Sequence, residues 1–288
     1  MYKLKCYEIP DGSRASRGFN LINLLPLTEN ERVTAMIKTT DFSDQRFITI
    51  VTKCGKIKRT NLSLYRNVRK NGLIAIGLDE GDEIAGVRMT NGHDQIIIAT
   101  RNGMAIRIEE EKGRSLSRSA HGVRGIHLRE DDCVVGMARV RKGATVLTVT
   151  ENGYGKRTEL ENYRIQNRGG YGINNYKVDE VRGNVCGIKI VDETDDIILV
   201  SSDGVIIRIL ASDIRIMGRI AKGVRVMRVG ENAKVVAFTR AEHDDSAETE
   251  KVEQLTAEQA QIAENESAEA EKNEMIAESE SDEYEEKD

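Results

Sequence analysis

Gly153-Tyr154-Gly155-Lys156-Arg157, then Tyr163-Arg164-Ile165-Gln166-Asn167-Arg168-Gly169-Gly170-Tyr171-Gly172, then Val185-Cys186-Gly187-Ile188, then Ile197-Ile198-Leu199-Val200 before Asp203-Gly204: the landmarks of this stretch recur roughly every fifty residues along the chain. A basic residue follows a turn glycine by four positions at Gly55/Arg59, Gly103/Arg107, Gly153/Arg157 and Gly204/Arg208, and Lys3 stands where an earlier copy would begin. A second glycine precedes an aliphatic residue by six positions at Gly18/Leu24, Gly72/Leu78, Gly122/Leu128, Gly172/Val178 and Gly223/Val229. Val33-Thr34-Ala35, Ile84-Ala85-Gly86, Val134-Val135-Gly136, Val185-Cys186-Gly187 and Val235-Val236-Ala237 place a small residue two after an aliphatic one. A fixed period of this length signals a solenoid, propeller or array of supersecondary units.

Each repeat reads as four short strands, because its apolar residues come in runs rich in Val and Ile bounded by turn residues. In the second repeat the strands are expected at about 56–60, 73–78, 83–89 and 95–101. Asn102-Gly103, Asn152-Gly153 and Asp203-Gly204, with Cys54-Gly55 as a weaker form, suggest type I′ hairpins. These would join the last strand of one repeat to the first of the next. The expected fold is all-β, a propeller-like ring of five to six four-stranded blades over residues 1–243, with repeats at about 1–54, 55–102, 103–152, 153–203 and 204–243. WD40 and kelch patterns do not fit, since the chain has no Trp and only 4% aromatic residues. Residues 244–288 are Ala-, Glu- and Gln-rich and read as a disordered acidic tail.

The charge divides with the architecture. Residues 246–288 hold 16 acidic residues against Lys251, Lys272 and Lys287, a net of −13, which leaves 40 Lys and Arg against 32 Asp and Glu in the body, a net of +8. Opposite signs in the two parts point to a polyanionic partner for the body. The tail either competes with that partner for the basic surface or serves as a solubilising end. Cys6, Cys54, Cys133 and Cys186 are widely spaced, without a Cys-x-x-Cys pair, and read as reduced, mostly core thiols. No apolar run approaches the ~18 residues of a membrane span, so no membrane partner is expected, and the chain reads as cytoplasmic. Asp192 to Asp196 reads as a polar hairpin loop, and no metal site is expected.

Five segments between the first strand of a repeat and its anchor glycine carry the functional signal: 13–18, 65–72, 113–122, 163–172 and 214–223. They hold Arg14, Arg17, Arg66, Arg69, Lys70, Arg114, Arg118, Arg164, Arg168, Arg215, Arg219 and Lys222, and no Asp or Glu, in a chain with 32% charged residues. Equivalent places in successive blades would line these cations along one rim, as a curved track for the phosphates of bent duplex DNA. The low aromatic content argues against base stacking by a single-strand binder. The alternatives are plain solvated loops, or a rim that recruits an acidic protein. Arg59, Arg107, Arg157 and Arg208 lie beside hairpins and suggest structural cross-strand ion pairs.

The repeats, Lys5-Cys6-Tyr7-Glu8-Ile9-Pro10, Asn23-Leu24-Leu25-Pro26-Leu27 and the acidic tail together resemble the carboxy-terminal β-pinwheel domain of the DNA gyrase A subunit, over residues 1 to about 240. The related topoisomerase IV domain, which binds and bends DNA, is the nearer alternative. The resemblance implies wrapping of duplex DNA in a chromosome-associated heterotetramer with gyrase B, in support of ATP-dependent negative supercoiling, with ATP and Mg held by other domains. That family carries a Gln-Arg-Arg-Gly-Gly-Lys-Gly box in its first blade. Gln166, Asn167, Arg168, Gly169, Gly170, Tyr171 and Gly172 form a degenerate sister of it, departing at Asn167 and Tyr171. The intact box is expected upstream of Met1, with this chain beginning inside the first blade. The box glycines suit either a close phosphate approach or a tight turn. There is no phosphate-binding Gly-x-x-x-x-Gly-Lys loop, no His-Glu-x-x-His pair and no Arg-Tyr dipeptide such as bears the cleavage tyrosine of type II topoisomerases, so no catalytic residue is assigned and no cofactor is expected.

Overall fold

The near-continuous apolar runs Phe47-Ile48-Thr49-Ile50-Val51 and Ile96-Ile97-Ile98-Ala99 form buried central strands, as their β-branched content favours. In the computed structural model, which describes residues 1–13, 16–28 and 31–243, they belong to β1 (Phe47–Thr52) and β4 (Gln95–Thr100). Each turns through a hairpin glycine into the first strand of the next repeat: β1 into β2 (Lys56–Asn61), β4 into β5 (Met104–Glu109), β8 (Thr145–Thr150) into β9 (Tyr154–Glu159), and β13 (Asp195–Ser201) into β14 (Ile206–Leu210). Four such hairpins found four sheets in a propeller-like arrangement. The count falls below five to six because the sheets straddle repeat boundaries, and five repeats have four internal junctions. Among the described residues the first repeat supplies no strand before Phe47 and shows two 3-10 turns, Cys6–Glu8 and Leu21–Asn23.

The hairpins differ from the expected type I′. Gly103 N–H donates to the Thr100 carbonyl (3.1 Å), as Gly55, Gly153 and Gly204 do to Thr52, Thr150 and Ser201, which makes a three-residue loop with the glycine last. The glycines have φ of +82, +84, +78 and +85°, whereas Asn102 and Asn152 are not in the left-handed region. This is a type I turn with a glycine bulge.

On the inner side of each hairpin lies the third strand of a repeat: β3 (Ile84–Thr90) on β1, β7 (Val134–Arg139) on β4, β12 (Val185–Val191) on β8 and β16 (Val235–Glu242) in the last sheet. Inner strands of consecutive blades pack on each other where the sequence keeps a small residue. A Cβ on Gly86 would stand 3.4 Å from Met137, one on Gly136 3.6 Å from Ile188, and one on Gly187 3.0 Å from Phe238. The small-residue landmark is therefore the seam between blades.

The outer side carries an exchanged strand. The expected strand at 73–78 does not form. Instead β6 (Val123–Arg124), β11 (Ile173–Asn174) and β15 (Val224–Arg225), each directly after an anchor glycine, pair antiparallel with β2, β5 and β9 of the preceding repeat. The short β10 (Ile165–Gln166) adds to β5 in parallel. The hairpin glycine receives the incoming chain: Gly103 carbonyl accepts from Asn175 and Tyr176 N–H, and Gly153 carbonyl from Val226 and Met227 N–H. A side chain at either glycine would overlap the carbonyl of Tyr176 or Met227. The last sheet, β14-β13-β16, has no exchanged strand among the described residues, and a Cβ on Gly204 meets open space. Cores form between sheets, for example Ile97, Ala99, Val146, Leu160, Tyr163 and Ile188.

All four cysteines are free, but not all are core residues: Cys6 and Cys54 are exposed, Cys133 is half-buried, and Cys186, half-buried, packs against the core of Leu147, Val149 and Val235. Cys54 is carried to the surface by its hairpin. The 192–194 turn links β12 to β13 of the next sheet, so it is not the expected hairpin loop; Asp195 and Asp196 open β13, and Asp195 accepts from the Asp192 N–H (2.7 Å). The acidic tail, 244–288, lies outside the described residues.

Candidate nucleic-acid interface

The arginine four residues after each hairpin glycine fixes where a basic segment begins. Arg59 donates to the carbonyls of Gly92 (3.1 Å) and Gly113, Arg107 to those of Leu160 (2.7 Å) and Tyr163 (3.1 Å), and Arg157 to those of Ile214 (2.7 Å) and Ser212. Gly113, Tyr163 and Ile214 are the first residues of segments 113–122, 163–172 and 214–223. Three of these arginines are thus staples between repeats, where ion pairs across the hairpin were expected; Arg157 also lies 3.6 Å from the Glu193 carboxylate. Arg208 makes the expected pair, with Asp196. Lys3 behaves as an earlier copy, donating to the Arg66 carbonyl (3.2 Å).

Two further ties follow along each of these three segments. Backbone bonds join Leu116 N–H to the Arg59 carbonyl (2.8 Å) and Met217 N–H to the Arg157 carbonyl (2.8 Å), and β10 pairs with Arg107 and Ile108. The anchor glycine then turns with positive φ, +87° at Gly122, +75° at Gly172 and +76° at Gly223, and feeds the exchanged strand. Segments 113–122, 163–172 and 214–223 are each held at start, middle and end, and run into the outermost strand of the preceding sheet.

Buried lysines add a fourth tie in two repeats. Lys58 donates to the Ala75 (2.7 Å) and Arg118 carbonyls, and Lys156 to the Gly218 (2.8 Å) and Arg219 carbonyls. Burial lowers the Lys58 ammonium to about 8. Burial, with the Arg219 guanidinium adding to it, lowers that of Lys156 to about 7.

Of the twelve candidate cations Arg14 lies outside the described residues. Arg17, Arg66, Arg69, Lys70, Arg114, Arg164, Arg168, Arg215 and Lys222 are exposed, and Arg118 and Arg219 half-buried. None of these eleven forms an ion pair with a carboxylate among the described residues. Cations outside the segments do: Arg101 and Lys234 with Glu151, Arg139 with Asp94, Arg141 and Arg240 with Asp195, Arg182 with Asp179. The segment cations are thus left without carboxylate partners, while these others are paired within the body.

The segment-based reading stopped at the anchor glycine and so missed exposed cations just beyond it. Arg124 and Arg225 stand two residues after Gly122 and Gly223, and Lys177 and Arg228 five after Gly172 and Gly223. The repeated Gly-Val-Arg at 122–124 and 223–225 was the available signal.

The degenerate box is a joint between neighbouring segments. Gly169 N–H donates to the Gly125 carbonyl (2.7 Å), His127 N–H to the Gly170 carbonyl (2.8 Å), and the Tyr171 ring lies 4.3 Å from that of His127. A Cβ on Gly172 would overlap the Ala105 carbonyl. Gly172 serves tight inter-repeat packing and Gly169 a turn with φ of +83°, with Asn167 and Arg168 exposed at the tip and Gln166 half-buried in β10.

A bladed all-β array that holds acid-free basic loops on the outer strands of its sheets is, as a class, a propeller-type domain. The family described as DNA gyrase C-terminal domain, beta-propeller, matches residues 1–40, 46–91, 94–141, 144–180 and 195–242, and the chain belongs to this family. The last four matches begin next to β1, β4, β8 and β13, so the family's repeat follows the structural blade. The DNA gyrase A subunit of Clostridium acetobutylicum is 46% identical over 256 residues, covering 89% of this chain and 31% of that protein. That of Halalkalibacterium halodurans is 48% identical over 268 residues, covering 92% and 32%. The chain therefore spans about a third of the curated relatives it matches. Among solved structures, a DNA gyrase A C-terminal domain superposes with a TM-score of 0.73 at 28% identity, over 83% of this chain and 78% of that one. A DNA topoisomerase IV C-terminal domain gives 0.76 at 26% identity, over 82% and 74%.

Proposed function

We propose that residues 1–243 bind duplex DNA without reading its sequence, bend it along the outer strands of the blades and wrap it, as the DNA-handling end of a gyrase A subunit. The observation that supports this is the set of eleven described cations in the acid-free segments that have no carboxylate partner, seven of them on the three loops fixed by Arg59, Arg107 and Arg157. Preorganised Lys and Arg attract phosphates by charge and by release of counterions, with no base contacts needed. In the longer protein this domain acts with gyrase B in a heterotetramer that couples ATP hydrolysis, with Mg, to negative supercoiling. ATP, Mg and the cleavage chemistry belong to other domains, and the assembly works in the cytoplasm on the chromosome. Among the described residues no helix is long and apolar enough to cross a membrane.

The likeness to a topoisomerase IV C-terminal domain supports a second reading, in which DNA is bent without being wrapped. Closing a nicked circular plasmid with ligase in the presence of the protein separates the two. A change in linking number that grows with protein concentration supports wrapping. Tight binding with no change in linking number refutes wrapping and leaves bending, and absence of binding to random-sequence duplex refutes both.

A further inference from the structure

Two repeats carry a lysine three residues after the hairpin glycine, Lys58 and Lys156, where the other two have Ile106 and Ile207. Both side chains are sealed from solvent, at 1% and 0% exposure. Each ammonium is held by neutral carbonyls, and one of those carbonyls belongs in each case to the arginine four residues before an anchor glycine, Arg118 or Arg219. No carboxylate among the described residues reaches either ammonium. A buried cation without a counter-ion is costly, and the cost falls when negative charge comes near. The faces that bear on Lys156 are themselves cationic or neutral: the Arg219 guanidinium, which donates to the Asn174 carbonyl (2.6 Å), and the Tyr176 ring, 5.0 Å away, whose hydroxyl donates to the Lys222 carbonyl. Lys58 is faced by Arg118 and by Tyr65, whose hydroxyl shares the Ala75 carbonyl (3.2 Å).

We infer that Lys58 and Lys156 are positioning residues for duplex binding, whose buried, carboxylate-free ammonium groups hold the Arg118 and Arg219 turns in place and take up protons when phosphates settle on those turns. The inference rests on the DNA reading above. Where the position is Ile106, the following segment relies on the Gly169-Gly170 joint, and its Arg168 is exposed. The lysine thus replaces one way of fixing the segment by another. Phosphates favour the charged ammonium, so its pKa rises on binding. Affinity is complete below the free value, about 7 for Lys156 and about 8 for Lys58, and falls as pH rises through the window between the free and bound values. Each unit of that rise is a tenfold change in affinity.

The test is fluorescence anisotropy of a random-sequence duplex at fixed ionic strength from about pH 6.5 to about pH 9, a range that spans both groups. It is run on the unmodified protein, Lys156→Met, Lys58→Met and Lys156→Arg. The unmodified protein should lose about tenfold in affinity across the range. Lys156→Met should bind more weakly at neutral pH with a flatter profile, and Lys156→Arg, always charged, should keep affinity and flatten as well. His121 and His127 remain in every variant, so differences between profiles report the lysines. Calorimetry of the unmodified protein in two buffers of different ionisation enthalpy should show proton uptake near pH 8, a readout that needs no variant to fold. Duplex binding with no proton uptake and a flat profile, or variants that keep the parent profile, would overturn the inference and leave the DNA reading standing. No binding at any pH would remove the DNA reading itself.

Discussion

Substituting Gly153 by alanine tests whether the hairpin glycines are the joints between repeats. Two costs apply. Gly153 has φ of +78°, a region that costs an L-residue about 1–2 kcal/mol. The new Cβ would also overlap the Met227 carbonyl, backbone that is itself tied to Gly153 through the Met227 N–H (3.1 Å), so the exchanged strand must shift. Overpacking of that kind costs about 1–3 kcal/mol, which brings the total to about 3 kcal/mol. Gly204→Ala is the internal control, because Gly204 has φ of +85° and open space around its Cβ, and should lose only about 1–2 kcal/mol. The assay is urea unfolding followed by circular dichroism, with both variants compared to the parent at equal m-value. Equal losses from the two substitutions would refute the argument that the following repeat docks on this glycine.

Other outcomes follow from the same geometry. Observed DNA affinity should fall with salt at a log-log slope of about −7 if about eight of the segment cations meet phosphates, and a slope near zero in a titration from low to moderate salt would reject the track. Arg164→Ala or Arg215→Ala should weaken binding to unrelated duplexes alike and reduce that slope by about 1, as measured by anisotropy. Arg107→Met removes donors from the Leu160 and Tyr163 carbonyls and should cost about 2–3 kcal/mol in urea unfolding, with earlier hydrogen exchange in 163–172. In native thiol labelling, exposed Cys6 and Cys54 should react first, while Cys186, whose thiol burial pushes up to about 12, should react last.

The hairpins were legible because Asn102-Gly103 and its relatives sit between two apolar runs; the small residue recurring at Gly86, Gly136 and Gly187 was visible as a marker of the period, and only the packing shows it to be the seam between blades. The turn type was not legible, since Asn-Gly suits either a two-residue loop or a loop with glycine third, and only strand register decides. The exchanged strands escaped because β6, β11 and β15 are two residues long and pair with segments about seventy residues away, so they carry no periodicity of their own. Basic loops were visible as an absence of Asp and Glu. What distinguishes their cations from Arg141 or Arg182 is the lack of a carboxylate partner, and that depends on neighbours distant in sequence. Nothing in the sequence sets Lys58 and Lys156 apart from the other lysines, and only the packing shows them sealed beneath Arg118 and Arg219.

Because three of the four described sheets borrow an outer strand from the repeat after them, the array can gain or lose length within that run only in whole periods. Excision of one complete period brings the next post-glycine strand onto an earlier acceptor of the same chemistry, and every remaining joint heals. Excision of half a period strands a donor and an acceptor at once. Recombination within such a gene is thereby steered towards changes in blade number that leave the duplex-facing surface in phase.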